Sequence, residues 1–184
     1  MFKKIILASA ILAATVSVAA AAETAPYVGA SIGITNNSVT YNNNTTAGTY
    51  RGVPLNVFVG FGGVLSQSFY LAGEVTATLG TISISDNTGL KTSYGVGISM
   101  LPGVMVNDST LAYARIGVVN SHFTHDKNRV GGQFGLGLKT AVTQNMDIRG
   151  EYDFVAYKSV NVTATRTAAP RSDQFTVGLV YNIA

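Results

Sequence analysis

Charged and uncharged residues alternate with a period of two along Asp147–Ala156. Asp147, Arg149, Glu151 and Asp153 occupy every second position, and the positions between them carry no charge. A period of two is typical of a β-strand, because successive side chains point to opposite faces. One face of this predicted strand is therefore purely charged, while the other is apolar. A charged inside and an apolar outside are typical of a β-barrel in a membrane.

Seven further segments show the same alternation, so the chain is predicted to be all-β. The eight predicted strands are Pro26–Thr35, Val53–Phe61, Phe69–Gly80, Thr92–Val106, Leu111–Val119, Gly131–Ala141, Asp147–Ala156 and Gln174–Ile183. Most have the roughly 9–11 residues that a tilted strand needs to cross a bilayer. Pro102 and Gly103 interrupt the alternation in the fourth predicted strand, which predicts a bulge there. Beyond these residues, the alternation does not decide which side chains face inward.

Long and short connections alternate between the predicted strands. The short ones fall near residues 66, 108 and 144, and the long ones are rich in Asn, Thr and Gly. The predicted long loops are Asn36–Arg51, Thr81–Leu90, Asn120–Arg129 and Lys158–Asp173. Outer-membrane barrels have short periplasmic turns and longer extracellular loops. We therefore predict an eight-stranded antiparallel up-and-down transmembrane β-barrel with four extracellular loops.

Charged residues keep to the face opposite the apolar one in every predicted strand. This face holds Glu74, Arg115, Lys139, Asp147, Arg149, Glu151 and Asp153. A lipid-facing Lys or Arg at the bilayer midplane would cost about 2–4 kcal/mol. Buried charges need partners, so we expect Glu74 and Glu151 to pair with Arg115 and Arg149. Small Gly residues on the same face would leave room for these long side chains inside a narrow barrel.

The N-terminal segment 1–22 is predicted to be a cleaved signal peptide, and 23–184 the barrel domain. Lys3 and Lys4 precede the apolar run Ile5–Val18, and small residues follow as Val18–Ala22. This order is typical of a secretory signal with cleavage near Ala22. A single transmembrane anchor is the rival interpretation, but the run is shorter than the roughly 20 residues that span a bilayer.

Composition excludes several functional classes. The chain has no Cys, which excludes a disulfide framework and a thiolate metal site. Without Lys3 and Lys4, the chain has 10 Lys and Arg and 9 Asp and Glu, a net charge of +1. This balance does not indicate binding to nucleic acid. Charged residues make up 11% of the chain, far below the roughly 25% typical of soluble domains.

Several segments resemble the small OmpA/OmpX-like, opacity-type outer-membrane β-barrel family. These are Leu111–Gly117, Phe134–Lys139 and Asp147–Tyr152. The resemblance implies a small integral outer-membrane protein of a Gram-negative bacterium, in contact with outer-membrane lipid and lipopolysaccharide. It also implies a salt-bridged plug in the lumen, no cofactor, and a structural or surface-interacting role, with a host or surface ligand at the loops.

The C-terminal residues are similar to the signal that the barrel-assembly machinery reads in this family. That signal has a Gly, an aromatic residue three positions later and a terminal aromatic residue. Gly178 and Tyr181 match the first two features, but Ile183 takes the place of the last aromatic residue and Ala184 follows it. The resemblance implies that the machinery recognises the last strand, with the substitution at Ile183 affecting how efficiently it does so.

Three alternative functions remain open from the sequence. A narrow passive pore is the main alternative, and a soluble carrier barrel of the lipocalin type would need the apolar faces to point inward. A lipid A-modifying enzyme would need a hydroxyl, a base and an acid that converge. His122 and His125 lie near Ser121, Thr124 and Asp126, but no carboxylate on a neighbouring strand completes a triad. Two His at this spacing are also weak evidence for a metal site.

Overall fold

The structure is a computed structural model that describes residues 23–41, 46–66, 68–86, 91–123, 127–158, 160–163 and 166–183. The predicted signal peptide lies outside the described residues. The strands are β1 (Glu23–Tyr41), β2 (Thr46–Ser66), β3 (Phe69–Asp86), β4 (Thr92–Asn107), β5 (Thr110–Phe123), β6 (Lys127–Ala141), β7 (Met146–Tyr157), β8 (Val160–Thr163) and β9 (Arg166–Asn182). No helix among these residues is long and apolar enough to cross a membrane.

Eight of the strands close into one antiparallel barrel. Each of β1–β6 pairs with the next strand in the chain, β7 pairs with β9, and β9 returns to pair with β1. The short strand β8 pairs with the beginning of β9 on the side that β7 occupies further along, so it extends the barrel wall beyond β7. The predicted eight-stranded up-and-down barrel is therefore confirmed.

The alternation of faces is also as predicted. On β7, Asp147, Arg149, Glu151 and Asp153 are buried in the lumen, whereas Tyr152 between them is exposed. The outer surface of the barrel is apolar on every strand of the closed ladder. A soluble barrel would carry these side chains inside, so the lipocalin-type arrangement is wrong for this chain.

The predicted long loops are much shorter than expected, because the barrel strands continue into them. β1 runs on to Tyr41 and β2 begins at Thr46, so most of Asn36–Arg51 is strand. Similarly, β3 continues to Asp86, and β9 begins at Arg166. Composition misled the prediction, since Asn, Thr and Gly favour turns in isolation. In the barrel, the neighbouring strand supplies backbone hydrogen-bond partners to these same residues.

The bulge predicted at Pro102 and Gly103 is absent from the β3–β4 ladder. Leu71 pairs with Pro102 and Tyr70 with Gly103 in an unbroken register. The parity therefore continues, with Leu101 buried inside and Val104 exposed outside. On the other side, the β4–β5 ladder lacks pairs at Leu101 and Pro102 and resumes at Gly103 without a shift. Proline has no N–H to donate, which accounts for a local gap rather than a bulge.

The lumen has an aromatic lower part and a polar upper part, where "lower" means the end with the short turns. Tyr27, Phe58, Tyr70 and Tyr113 belong to the buried lower cluster. Near the upper end, Phe123 packs edge-to-face against Tyr157 at 5.2 Å between ring centroids. Five of the predicted charged residues lie between these two clusters, whereas Lys139 and Asp147 lie beside the lower one.

Candidate functional site

The centre of the lumen is occupied by Glu74, which projects inward from β3 and is 1% exposed. Arg115 donates through Nη2 to its Oε1 at 2.6 Å, and Arg149 donates through Nη1 to its Oε2 at 2.6 Å. Tyr27 and Thr76 donate further hydrogen bonds to the same carboxylate, at 3.1 and 3.2 Å. Each oxygen of Glu74 thus accepts a charge-assisted hydrogen bond from a different arginine.

Arg115 connects two opposite walls of the barrel. Besides its contact with Glu74 on β3, it makes a two-pronged contact with Glu151 on β7. Its Nε lies 3.0 Å from Oε1 and its Nη2 lies 3.1 Å from Oε2. Tyr113 donates to Glu151 at 2.5 Å. The guanidinium fork matches the carboxylate geometry, so it fixes both distance and orientation across the lumen.

The same row of residues occurs twice around the barrel. Tyr27 on β1 lies opposite Gly60 on β2, which lies opposite Glu74 on β3 and then Ser99 on β4. Four strands later, Tyr113, Gly137, Glu151 and Thr176 occupy the same register on β5, β6, β7 and β9. In each row, the tyrosine reaches past the glycine to donate to the glutamate.

The glycine in each row makes this reach possible. A Cβ at Gly60 would overlap the ring of Tyr27, and a Cβ at Gly137 would overlap the ring of Tyr113. The missing side chain leaves space for an aromatic ring to lie flat along the inner wall. Sequence reasoning assigned these positions to the inner face but missed the roles of the two tyrosines. The sequence pattern that could have indicated these roles is an aromatic residue on the charged, inward-facing side of one strand, with a Gly on the same side of the next strand.

Arg149 has an aromatic partner in addition to Glu74. Its guanidinium carbon lies 3.7 Å from the centroid of the Phe58 ring, a distance typical of a cation–π contact. Asp153 completes the central cluster, with Oδ1 at 3.6 Å from Nε of Arg115. Three carboxylates therefore surround two guanidinium groups.

A second ion pair lies toward the short-turn end. Lys139 on β6 is 3.3 Å from Asp147 on β7, and its Nζ lies over the rings of Tyr27 and Tyr70 at 5.5 and 5.1 Å. Asn182 on β9 donates to Asp147 at 3.0 Å. This pair joins three consecutive strands of the barrel. All seven predicted lumen residues thus lie in two clusters, five in the central one and two here.

Two cavities flank the central cluster. The upper one, about 60 Å³, is lined by Ser, Thr and Gln side chains and by Arg115, Arg149 and Glu151. The lower one, about 250 Å³, is lined by Tyr27 and Lys139 among others. Glu74 lines neither cavity, because its partners enclose it. Chemically, the cluster can brace opposite walls and fill the cross-section between the two cavities.

The residues considered for catalysis do not converge where the structure describes them. His122 lies on β5 rather than in a loop; its ring stacks on Tyr94 at 4.5 Å, and its Nδ1 is 2.8 Å from Asn128. Ser121 points into the lumen, where it hydrogen-bonds Tyr157 at 3.0 Å. The barrel wall therefore separates the hydroxyl from the imidazole.

The remaining candidates of this set lie outside the described residues. These are Thr124, His125 and Asp126. Within the described ranges, no group of three or more His, Cys, Asp or Glu side chains could hold a metal ion.

The predicted assembly signal lies on the last strand. Gly178 faces the lumen, opposite Ser31 on β1 and Arg149 on β7. Tyr181 and Ile183 are exposed on the outer surface. The backbone N–H of Ile183 donates to the carbonyl of Pro26 at 2.9 Å, which extends the seam that closes the barrel.

Comparison with known proteins agrees with this architecture. Neisserial surface protein A is 17% identical, covers 88% of this chain and 100% of its own, and superposes with a TM-score of 0.57. The attachment invasion locus protein Ail of Yersinia pestis is 13% identical, with 86% and 99% coverage and a TM-score of 0.50. At these identities the likeness shows the fold alone. The comparison with curated protein sequences finds no match.

A sequence family described as "Outer membrane protein beta-barrel domain" matches residues 6–182. The match spans nearly the whole chain, including every strand of the closed barrel. The chain belongs to this family and is a small β-barrel of the outer membrane.

Proposed function

We propose that this protein is a non-enzymatic surface protein whose lumen is plugged and whose extracellular strand ends contact other molecules. The observation that carries the proposal is the bridge formed by Arg115 between Glu74 and Glu151. These three groups reach across the lumen from different walls at hydrogen-bond distance. A side chain held at both ends in this way braces the barrel and occupies the space through which a solute would pass.

The energetics of the bridge support a plug over a passive pore, which is the alternative function. Opening a path would require breaking contacts between charges that are almost completely buried. Removing one partner of such a buried pair costs about 3–5 kcal/mol, because the other charge is left uncompensated. Thermal fluctuations would therefore open the path only rarely. In this interpretation, the central cluster stabilises the fold and blocks the passage of ions through the lumen.

The length of the strands supports a surface role. A strand tilted by about 40° gains about 2.5 Å of height per residue, so about ten residues cross the roughly 25 Å apolar band. β1, β2 and β3 have 19, 21 and 18 residues. About half of each strand therefore extends beyond the band on the long-loop side. These extensions offer a contact surface to a host or surface ligand.

Contacts with lipid and with the assembly machinery complete the proposal. Exposed Arg51, Lys158 and Arg171 lie on the long-loop side, where they suit the phosphate groups of lipopolysaccharide. Exposed Tyr181 on β9 and Ile183, one residue after its end, are accessible to the barrel-assembly machinery before the barrel closes. The separation of Ser121 from His122 supports the absence of a lipid A-modifying activity.

Planar-bilayer recording on the detergent-folded protein tests the plug. We expect no steady conductance from the wild type, and steady openings from a Glu74→Ala, Arg149→Ala variant that removes both charges. Steady conductance of the wild type would favour the passive pore. For the surface role, we expect bacteria that display the protein to adhere to host-cell monolayers more than vector controls; equal adhesion would contradict it.

A further inference from the structure

The central cluster of the lumen has more negative groups than positive ones. Glu74, Glu151 and Asp153 are its carboxyl groups, and Arg115 and Arg149 are the guanidinium groups that contact them. All of these side chains are buried. If every carboxyl group were ionised, the cluster would carry a net charge of −1, because three negative charges face two positive ones. An uncompensated buried charge is costly, so the cluster needs one further positive charge.

Asp153 is the carboxyl group that the arginines leave without a hydrogen bond. Nε of Arg115 lies 3.0 Å from Oε1 of Glu151 but 3.6 Å from Oδ1 of Asp153. The longer distance exceeds that of an N–H···O hydrogen bond. Oδ1 of Asp153 is buried and has no hydrogen-bond partner among the described residues. Such an oxygen suits the carbonyl of a neutral carboxyl group better than an ionised carboxylate, which needs more donors.

The strands on either side of Asp153 do not supply the missing charge. Gly135 on β6 and Gln174 on β9 lie directly opposite Asp153. A Cβ at Gly135 would overlap Oδ1 of Asp153, so the carboxyl group lies in the space that this glycine leaves. On the same parity of β6, Lys139 and Arg129 stand four and six residues away from Gly135. Lys139 already belongs to the ion pair near the short turns.

Glu151 is the neighbour with which Asp153 can share a proton. The two residues are two positions apart on β7 and therefore face the same side. Their carboxyl groups lie within hydrogen-bonding reach of each other, where two carboxylates repel unless one of them is protonated. Tyr113 and Tyr157 are the titratable tyrosines on the adjacent inner walls. Both are neutral at neutral pH and offset no charge.

We propose that Asp153 keeps a proton at neutral pH in the folded barrel and donates a hydrogen bond to Glu151, which makes the plug a proton-binding site. The inference rests on the proposed plug and names a condition for its closure. With the proton bound, the charges of the cluster balance. At alkaline pH the proton passes to water and both residues become carboxylates. Their repulsion then acts on the bridge formed by Arg115, so the plug loosens.

A metal cation in the upper cavity is the other way to balance the charge, and the geometry disfavours it. Arg115, Arg149 and Asp153 line this cavity of about 60 Å³ together. Nη1 of Arg115 is buried there without a hydrogen-bond partner among the described residues. A metal ion bound to Asp153 would therefore be repelled by two guanidinium groups. A proton supplies the same charge on the carboxyl group itself and at a greater distance from both arginines.

Infrared spectroscopy of the detergent-folded, full-length protein detects the proton directly. A protonated carboxyl group has a carbonyl stretching band that an ionised carboxylate lacks, and this band shifts in D₂O. At neutral pH we expect a band of the size of a single carboxyl group in the wild type. Asp153→Asn should abolish it. Asp147→Asn is the matched control, because Asp147 is a buried acid on the same strand that pairs with Lys139, and it should keep the band.

A lysine in place of Gln174 should displace the proton. Gln174 lies opposite Asp153 and lines the upper cavity, so Gln174→Lys supplies the positive charge that the cluster lacks. We expect the band to disappear in this variant. Gln174→Met has a side chain of similar length without the charge and should keep the band. A band that persists in Gln174→Lys, in a variant with the wild-type circular dichroism spectrum, would contradict the charge balance.

The pH dependence of unfolding provides an independent measurement. In the unfolded chain Asp153 ionises near pH 4, so between about pH 5 and pH 7 the folded state holds one proton more than the unfolded state. Stability therefore falls as the pH rises. Relative to Asp153→Asn, the folding equilibrium constant of the wild type should fall about tenfold per pH unit. The same pH dependence in both proteins would contradict the inference.

Failure of this inference can be told from failure of the plug. A wild type that lacks the band, or a band that persists in Asp153→Asn, would overturn the proton-binding site even if the lumen stays closed. Steady conductance at neutral pH would contradict the plug itself. At about pH 9, below the ionisation of tyrosine, we expect openings in the wild type and none in Asp153→Asn. A lumen that stays closed after the band is lost would overturn the link between proton and plug.

Discussion

In the first half of the barrel, Tyr27, Gly60 and Glu74 lie side by side across β1, β2 and β3. In the second half, Tyr113, Gly137 and Glu151 repeat this row across β5, β6 and β7 in the same register. The backbone therefore places a tyrosine, a glycine that leaves space for its ring, and a glutamate in the same arrangement twice. The two halves differ in what surrounds the rows.

Both arginines come from the second half. Arg115 stands two residues after Tyr113, where the first half has Gly29 two residues after Tyr27. Arg149 stands two residues before Glu151, where the first half has Ala72. Glu74, the lone acidic partner from the first half, is thus neutralised entirely by side chains from the other half. The repeated rows of Tyr, Gly and Glu are thus common to both halves, whereas the arginines occur in one half only and bind the carboxylate of the other.

The largest effect should come from removing Glu74. Glu74→Ala leaves Arg149 without a carboxylate partner and Arg115 with one fewer, so we expect a loss of about 3–5 kcal/mol in the free energy of unfolding. Glu151→Ala should cost less, because Arg115 keeps Glu74. Urea unfolding in detergent, followed by circular dichroism because the chain has no Trp, measures both. A larger loss of unfolding free energy for Glu151→Ala than for Glu74→Ala would show that the glutamate of the second half matters more for stability than that of the first.

Removing one hydroxyl from each row tests the repeat itself. Tyr27→Phe and Tyr113→Phe each delete a hydrogen bond to a buried carboxylate. We expect each variant to lose about 1.5–3 kcal/mol in unfolding free energy. Tyr181→Phe is the control, because this tyrosine is exposed on the outer surface of the barrel. Losses confined to one row would show that the halves are not equivalent.

Filling the gap in each row should produce similar strain in both halves. Gly60→Val and Gly137→Val place methyl groups against the rings of Tyr27 and Tyr113, at an expected cost of about 1–3 kcal/mol. The control is Gly150→Val, because a Cβ at Gly150 meets no atom within 4 Å. The same unfolding assay measures all three. A Gly150→Val loss as large as the other two would mean that strand propensity, and not the ring, decides the cost.

The smallest effect is expected on the outside of the barrel. Tyr152 donates to Asp173 at 2.6 Å, which resembles the lumen contacts chemically, but the pair is exposed. We expect Tyr152→Phe to change the unfolding free energy by only about 0.5 kcal/mol. A change comparable with that of Tyr113→Phe would indicate that burial adds little to the lumen contacts.

The sequence was sufficient to predict the architecture, because within each strand the charged residues occur only at every second position and therefore on one face. A charge on the wrong face of β7 would lie in lipid, so the positions of Arg149 and Glu151 on the inner face followed from alternation alone. Strand ends were not predictable in the same way. Thr46–Arg51 has the composition of a loop and becomes strand only because β1 and β3 lie beside it.

The partners within the lumen could not be derived from one strand at a time. Arg149 and Glu74 are 75 residues apart, and their contact depends on strand stagger, which closure of the barrel decides. The position of Tyr113 on the inner face was evident, but its hydrogen bond with Glu151 needed the register of β5, β6 and β7. Periodicity determines which side a residue faces, and register determines which residue it meets.

If arginines of the second half hold the barrel together by binding the carboxylate of the first half, Glu74 and Arg149 must be energetically coupled. A double-mutant cycle between Glu74→Gln and Arg149→Met measures this coupling. We expect the double variant to lose about 1.5–3 kcal/mol less unfolding free energy than the sum of the two single losses, because either substitution already removes the shared contact. A double variant whose loss equals that sum to within about 0.5 kcal/mol would show that the two residues act independently, and would contradict a bridge between the halves.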